Sequence, residues 1–277
     1  MELNAIQEFL DARHNELEGW FFSPDQLAFC ELCALQERLQ ISGDLCEIGV
    51  FKGKSLVLLS LLKRDTERLL GFDLFAEDHL EATQRNLLAF NVEKNVELYQ
   101  GLTSDISLDI LDERIRNPLR FLHIDAGHEY HEVLEQLAIF APYLSDHAVI
   151  AMDDYQDREF PGIEAAVLDF AEQDRPRRFV PFFAGGNKMF LCSAYTAALF
   201  QKSLLNVPNL KDKCRLTRVR DFNVLIMRSK LPVSSEKILA QLAATTFPQR
   251  STDGASLNEQ SALFSQLTFG SGSKSSN

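Results

Sequence analysis

The chain has 277 residues, a formal net charge of −12, and 45% hydrophobic and 25% charged residues. This composition is typical of a soluble globular protein that can form one α/β domain with additions. The acidic net charge disfavours nucleic acids and anionic membranes as partners, and no apolar run approaches the roughly 20 residues that span a bilayer. The first residues lack the basic and apolar regions of a secretory signal, so we expect a cytoplasmic location.

Five cysteines, an odd number, do not indicate a disulfide framework. Cys30 and Cys33 form a CxxC motif, but they lie in a helical pattern and no second CxxC completes a zinc site. We interpret them as buried structural thiols, with a redox or metal role as the alternative.

The first 42 residues have the pattern of an N-terminal helical cap. Apolar residues at helical spacing predict an amphipathic helix over residues 3–17. Ser23 and Pro24 then resemble an N-cap and the first helical residue of a second helix, which runs to about Gln40. Between these helices, the aromatic residues 20–22 are candidates for a lid or substrate pocket, or for core packing.

After Gly43, short apolar strands alternate with amphipathic helices. The predicted strands are 45–48, 69–72, 96–99, 120–124 and 148–152, and the predicted helices are 54–63, 78–90, 104–113, 130–140 and 162–172. This alternation predicts an α/β fold with a doubly wound, mostly parallel sheet and helices on both faces.

An antiparallel hairpin is predicted to close the sheet, giving seven strands in all. Its strands are residues 179–183 and 188–192, joined by a turn that contains two glycines. Residues 193–268 are a C-terminal extension. Its apolar patterns predict a further strand at 222–227 and a helix at 235–244. The last residues, 269–277, have the composition of a disordered tail.

The turn after the first strand has the pattern E-x-G-x-x-x-G-x-S, formed by Glu47, Gly49, Gly53 and Ser55. It lacks the glycine spacing of a dinucleotide fingerprint and is one residue short of a P-loop, which makes it too tight to wrap phosphates. Glycine lets a ligand approach the backbone, and a helix N-terminus can hold a carboxylate. Because Glu47 suits an ammonium or sulfonium group, the pattern favours a cationic cofactor that carries an amino acid. A plain β–α turn with structural glycines is the alternative.

Three aspartates end two central strands of the predicted sheet. Asp125 follows strand 120–124, and Asp153 and Asp154 follow strand 148–152. Carboxyl ends of parallel strands meet at the edge where open α/β folds build their sites. Converging carboxylates require protons or a cation, and Mg²⁺ suits an all-oxygen site. The alternative is a metal-free site in which Asp125 serves the cofactor alone.

His128 lies three residues after Asp125, where the next helix begins. A neutral imidazole at this position can take the proton of a substrate hydroxyl that a metal has made more acidic, which makes His128 the candidate general base. Its alternative roles are to cap the helix or to bind a water.

On residues 47–55, 123–130, 150–155 and 160–163, the sequence resembles the class I S-adenosylmethionine-dependent methyltransferases. Within them it is most similar to the metal-dependent small-molecule O-methyltransferases, such as the catechol and macrocin enzymes. The resemblance covers about residues 43–192 and implies a Rossmann-like methyltransferase domain there. It implies S-adenosylmethionine and Mg²⁺ as cofactors, and a small-molecule hydroxyl as acceptor: a sugar hydroxyl of a secondary metabolite, or a vicinal aromatic diol.

The resemblance also assigns roles to residues. It places the methionine part of the cofactor among Glu47, Gly49, Phe51 and Ser55, the ribose hydroxyls at Asp73, and the adenine side at Thr103 and Ser104, with Asp125 also at the cofactor. It assigns the metal to Asp125, Asp153 and Asp154. Asp73 is otherwise a solvated strand-end carboxylate, and Thr103 and Ser104 otherwise an ordinary helix N-cap. Ala126 stands where the family more usually has glycine.

Two other functions use the same residues. A metal-dependent hydrolase would use the aspartates and His128 to activate water, without roles for Glu47 or Asp73. A non-catalytic protein would bind the cofactor without turnover. Because enzymes of this group often pair through added helices, a homo-oligomer is an expectation as well.

Overall fold

The computed structural model describes residues 3–101, 108–173 and 178–227. The strands are β1 Asp44–Ile48, β2 Leu69–Asp73, β3 Val96–Gln100, β4 Leu119–Ile124, β5 Leu144–Met152, β6 Phe179–Gly185, β7 Lys188–Ser193, β8 Cys214–Val219 and β9 Phe222–Met227. The helices are α1 Leu3–Asp11, α2 Ser23–Arg38, α3 Lys54–Leu62, α4 His79–Ala89, α5 Leu108–Arg114, α6 Tyr130–Phe140, α7 Pro161–Gln173, α8 Ala197–Asn206 and α9 Pro208–Lys211. Thr103, Ser104, the predicted helix 235–244 and the predicted tail 269–277 lie outside the described residues.

These strands form one sheet in the order β3-β2-β1-β4-β5-β7-β6-β9-β8. Strands β1 to β5 pair in parallel, whereas β7 is antiparallel to both β5 and β6. The predicted fold class is therefore confirmed: a doubly wound, mostly parallel sheet that ends in an antiparallel hairpin.

The sheet has two more strands than the seven predicted. Strand β9 occupies the predicted segment and pairs in parallel with β6, through Phe183 opposite Leu225 and Ala184 opposite Ile226. Strand β8 adds the edge, and most of its residues are exposed or only partly buried. An edge strand with so little apolar burial has no strong hydrophobic pattern, which explains why β8 was not predicted.

The N-terminal helices differ in detail from the predictions. Helix α1 ends at Asp11, and a short 3₁₀ helix, Arg13–Glu16, follows it. His14 Nδ1 lies 2.9 Å from the carbonyl oxygen of Phe9. In a continuing α-helix, this oxygen would instead accept a backbone N–H from the next turn. The N-cap of α2 is Phe22, whose carbonyl oxygen accepts the first helical hydrogen bonds, so Ser23 is already helical.

Helices cover the sheet on both faces, and each face has its own hydrophobic core. Helices α1, α2 and α3 enclose one core, where Phe29 packs against Phe121 of β4. Helices α6 and α7 enclose the other, which contains Phe140 and Ile150. In the described part of the chain, no helix is both long enough and apolar enough to cross a membrane.

Helix α2 is unusual because polar side chains are buried within it. Asp25, Gln26, Glu31 and Gln36 are all at most 3% exposed, and Cys30 and Cys33 are buried free thiols. Gln36 donates a hydrogen bond to the carbonyl oxygen of Arg120 and accepts one from the Arg120 guanidinium. Arg120 in turn forms a buried ion pair with Glu67 at 2.8 Å. Helix α2 is therefore held to the sheet by polar contacts as well as apolar ones.

Burial raises the pKa of Glu31 from 4.5 to about 7, although Arg38 opposes this shift. Because the folded state holds this proton more tightly than the unfolded state, stability falls as pH rises from about 4.5 to about 7. We expect Glu31→Gln to raise the free energy of unfolding by about 2 kcal/mol at pH 8 and by little at pH 4. Urea unfolding at both pH values measures this difference. The exposed Glu113→Gln is the control and should show no such pH dependence; equal effects of Glu31→Gln at both pH values would contradict the assignment.

Candidate active site

A cavity of about 320 Å³ lies at the C-terminal ends of β1, β2 and β4. Its walls come from the two strand-end turns, from the loop after β4 and from one face of α6. The lining residues are Ile48, Gly49, Phe72, Asp73, Leu74, Gly101, Asp125, Ala126, Gly127, Glu132, Glu135 and Gln136. The structure thus brings together three of the predicted cofactor residues, Gly49, Asp73 and Asp125, which are far apart in the chain.

Gly49 is required by both its backbone conformation and its surroundings. Its φ is +85°, and an added Cβ would lie 1.9 Å from the backbone oxygen of Asp125. No side chain fits at that distance, so glycine allows the turn after β1 to pass directly against the end of β4. This close approach is what sets Asp125 at the cavity wall.

Asp73 is held in place by the turn that faces it. One carboxylate oxygen accepts the backbone N–H of Phe51 at 2.8 Å, and the other accepts that of Phe75 at 2.5 Å. Each oxygen keeps a lone pair for a further donor. Phe51 has a φ of +52°, and its ring packs against those of Trp20 and His79. Because Asp73 lines the cavity, the Phe51 backbone that donates to it also lies next to the cavity.

Two predicted cofactor residues lie behind the cavity rather than in its wall. Ser55 is buried in the first turn of α3, and Glu47 is completely buried. One Glu47 oxygen lies 2.6 Å from Nδ1 of His123, while its other oxygen has no hydrogen-bond partner in the described ranges. Glu47 therefore faces the next strand.

Strand register explains why the polar residues lie together. Glu47 on β1 is opposite His123 on β4, and His123 is opposite Ala151 on β5. Since side chains alternate between faces, Asp125 and Asp153, each two residues further on, belong to the same face. His123, Asp125 and Asp153 each offer a ligand atom within 4.8 Å of the other two. A connected polar row thus runs across the strand ends beneath α2.

Lys188, the first residue of β7, completes this row. Its side chain is 1% exposed and forms an ion pair with Oδ2 of Asp153. The same oxygen lies 3.9 Å from Nε2 of His123, and Oδ1 of Asp153 accepts the backbone N–H of Asp154 at 2.8 Å. Both oxygens of Asp153 are therefore occupied by contacts within the protein.

The acids of this row differ in proton affinity. Burial raises the pKa of Asp125 well above its usual range, and neighbouring Asp153 raises it further. Burial acts in the same direction on Asp153, but Lys188, Asp125 and His123 together lower its pKa to about 2. Burial would lower the pKa of Lys188, yet the surrounding carboxylates outweigh it and raise that pKa. Asp153 and Lys188 are thus an ionised pair, whereas Asp125 holds its proton more tightly than a free aspartic acid does.

Asp154 and His128 form a second, more exposed pair. Asp154 has a φ of +52°, so it leaves the strand direction. Oδ1 of Asp154 accepts a hydrogen bond from Asn187 at 3.1 Å, and Oδ2 lies 3.3 Å from Nε2 of His128. The His128 ring stacks on Phe160 with centroids 4.0 Å apart. The side chain of His128 therefore faces Asp154 and does not cap α6.

Sequence reasoning omitted His123, Lys188 and Asp25. His123 precedes Asp125 by two residues, a spacing that puts both on one face of a strand, but an isolated histidine in an apolar strand suggested a structural role. Lys188 opens the second hairpin strand, and only the pairing of Met152 with Met189 shows that it lies beside Asp153. Glu132 and Gln136, on one face of α6, were likewise not predicted to line the cavity.

The turn at Gly49 gives a direct test. We expect Gly49→Ala to lower the free energy of unfolding by about 3 kcal/mol, because it adds a backbone clash to a strained φ, and to weaken binding of S-adenosylhomocysteine. Urea unfolding and calorimetry measure the two effects. The matched control is Gly101→Ala, which also lines the cavity with a positive φ, +150°, but whose added Cβ meets nothing within 4 Å. Equal losses in the two variants would contradict the role of the close approach.

Comparisons with known proteins agree with this arrangement. Residues 46–155 match a protein family described as "Methyltransferase domain". A 139-residue segment is 28% identical to an uncharacterized protein of Acanthamoeba polyphaga mimivirus, and covers 49% of this chain and 62% of that protein. The chain thus spans less than two thirds of that relative.

Solved structures share the fold at low sequence identity. The O-methyltransferase NovP is 16% identical with a TM-score of 0.54, over 69% of this chain and 97% of NovP. The calicheamicin methyltransferase CalS11 is 18% identical with a TM-score of 0.50, over 61% and 78% of the two chains. An O-methyltransferase from Bacillus cereus, solved with S-adenosylhomocysteine, is 20% identical with a TM-score of 0.50, over 68% and 89%. The family match over residues 46–155 and the shared fold agree with the resemblance seen in the sequence: this chain has the Rossmann-like methyltransferase fold and a segment that is similar to methyltransferase domains.

Proposed function

We propose that this protein is an S-adenosylmethionine-dependent O-methyltransferase that acts on a metal-bound hydroxyl of a small molecule. The observation that carries the proposal is the position of Asp125. It lines the cavity of about 320 Å³ and also belongs to the polar row with His123 and Asp153. A methyl donor in the cavity would therefore lie beside a group of side chains that could hold a cation. A metal-dependent hydrolase has no use for the cavity between Gly49 and Asp73.

The cavity has the groups that a sulfonium cofactor requires. Asp73 is preset by two backbone N–H groups and can accept hydrogen bonds from ribose hydroxyls. Asp125 places a carboxyl group near the expected position of the ammonium or sulfonium group. Glu47, buried behind the turn, adds a second carboxyl group, one oxygen of which lacks a hydrogen-bond partner among the described residues.

The donor set fits a hard divalent cation such as Mg²⁺. Asp125, Asp153 and Asp154 offer only oxygen atoms, and those of Asp125 and Asp153 lie within 4.8 Å of one another. Because the pKa of Asp125 is raised, a cation bound there would take the place of its proton. When bound, Mg²⁺ would lower the pKa of an acceptor hydroxyl. These three carboxylates are the residues that would hold it.

His128 is the base in this proposal. Its Nε2 faces Asp154, so the tautomer that donates from Nε2 leaves Nδ1 to take the proton of the acceptor hydroxyl. Asp154 would stabilise the imidazolium that results, and the stack on Phe160 limits rotation of the ring. Because the sulfonium donor is already activated, positioning of the acceptor oxygen is the remaining requirement.

A sugar hydroxyl of a secondary metabolite or a vicinal aromatic diol is the acceptor class that we propose. The solved structures that share this fold include a calicheamicin methyltransferase, whose name supports a small-molecule acceptor. Trp20 and Phe22 are 82% and 48% exposed, and the Trp20 ring lies beside Phe51 of the glycine turn. Such aromatic surfaces can pack against the apolar face of a ring.

Calorimetry with S-adenosylhomocysteine tests the cofactor assignment. We expect binding by the unmodified protein both with and without Mg²⁺, and at least about tenfold weaker binding by Asp73→Asn, because the amide replaces one ribose acceptor by a donor. Asp146→Asn, an exposed acid at the other end of β5, is the control and should bind normally. No binding in either condition would eliminate the proposed function.

His128→Gln tests the base. We expect methyl transfer from S-adenosylmethionine, followed as S-adenosylhomocysteine release over a panel of glycoside and catechol acceptors, to slow by about 10² or more, with unchanged cofactor affinity. The control is His131→Gln, an exposed residue on the same helix. An unchanged rate in His128→Gln would assign the proton transfer elsewhere.

A further inference from the structure

Lys188 is a buried cation that the proposed reaction does not use. Its side chain is 1% exposed, which is rare for lysine unless an anion accompanies it. The Gly186–Asn187 turn begins β7 so that Lys188 lies beside the end of β5, where its ammonium group pairs with Asp153. The geometry of the hairpin therefore places Lys188 among the aspartates at the strand ends.

Other groups enclose the ammonium. It lies 5.6 Å from the centre of the Phe21 ring, just before α2. Asp25, the third residue of α2, is completely buried and packs so closely on Gly186 that an added Cβ would lie 2.1 Å from its carboxylate. The carboxyl group of Asp125 lies within 4.8 Å of that of Asp153, the partner of the ammonium. The N-terminal cap thus closes over Lys188 and keeps water away from its ion pair.

We propose that Lys188 is a built-in counter-ion of the acidic site, which holds Asp153 in place without a divalent cation and competes with such a cation for Asp153. This inference rests on the proposed function, since it concerns how the same site acquires its metal. A metal that coordinates Asp153 must share or displace a fixed positive charge in an enclosed space. The metal ion and the Lys188 ammonium would then both contact Asp153, and two positive charges that close together repel strongly where water is excluded.

The consequence is a site that remains assembled when no metal is bound. Asp153 keeps its position through Lys188 and through the backbone N–H of Asp154. Asp154 keeps its position through Asn187 and His128. The metal affinity is then weaker than that of the same three carboxylates without the lysine.

The test is a titration of the 277-residue chain with Mn²⁺, in which electron paramagnetic resonance measures the concentration of the free ion. We expect Lys188→Met, which keeps the buried volume and removes the charge, to bind Mn²⁺ at least about tenfold more tightly than the unmodified chain. Its melting temperature should also rise more on addition of Mn²⁺, because the metal then supplies the missing positive charge. If Lys188→Met does not fold, Lys188→Gln is titrated, since its amide can still donate to Asp153.

The matched control is Arg120→Met. Arg120 is also buried and paired with a carboxylate, Glu67, but it lies near the opposite end of β4 from Asp125. It should lose stability like the lysine variant and show the Mn²⁺ affinity of the unmodified chain. Unchanged or weaker Mn²⁺ binding by the folded Lys188 variant would overturn the proposal, as would equal gains in both variants.

Calorimetry with S-adenosylhomocysteine on the same samples separates this proposal from the proposed function. If the cofactor product binds to all variants but Mn²⁺ affinity does not change, the counter-ion role falls and the methyltransferase assignment stands. If S-adenosylhomocysteine binds to none of them, including the unmodified chain, the proposed function falls instead.

Discussion

Burial of acidic side chains at the ends of β1, β4 and β5 is the constraint on which the rest of the site depends. A carboxylate enclosed by protein is stable only with a proton, a hydrogen-bond donor or a cation beside it. The charge of each of these acids is compensated in a different way. Glu47 lies within hydrogen-bond distance of the imidazole of His123, and Asp153 forms an ion pair with Lys188. Asp125, which has the least compensation, is the one whose pKa is raised well above its usual range. In the proposed function, a cation at this site would take the place of that proton.

The glycine turn converts this charge into a position for a cofactor. Because Gly49 has no Cβ, the turn after β1 lies directly against the end of β4, and Asp125 becomes part of the cavity wall. On the other side of the same turn, the Phe51 N–H fixes Asp73. One short segment of chain therefore sets the distance between the two carboxylates that would bind opposite ends of the cofactor. A larger residue at position 49 would separate them.

Sequence patterns predicted the elements and the chemistry of the strand ends better than the contacts between distant elements. The alternation of strands and helices, the hairpin, and the strand at 222–227 depend on local periodicity, which survives in the fold. The aspartates were identifiable because strand ends in parallel sheets meet at one edge. The partners of those aspartates were not identifiable in this way. Lys188 reaches Asp153 through antiparallel register, and Asp25 reaches the same place through the packing of α2 on a glycine turn. Neither relation is encoded in a local pattern, because both depend on how separate elements pack.

The two adjacent aspartates show how one strand end can serve two purposes. Asp153 continues the alternation of β5 and points beneath α2, where Lys188 keeps it ionised and enclosed. Asp154 adopts a positive φ and turns toward the half-exposed His128. In the proposed reaction, a proton that leaves the acceptor must reach solvent, and the side chain of His128, which is 45% exposed, offers that path. In the proposed function, the enclosed carboxylate that would hold a cation and the more accessible carboxylate that faces the proposed base are therefore joined by a single peptide bond. The two side chains are identical, so the backbone turn at Asp154 is what directs one toward Lys188 and the other toward His128.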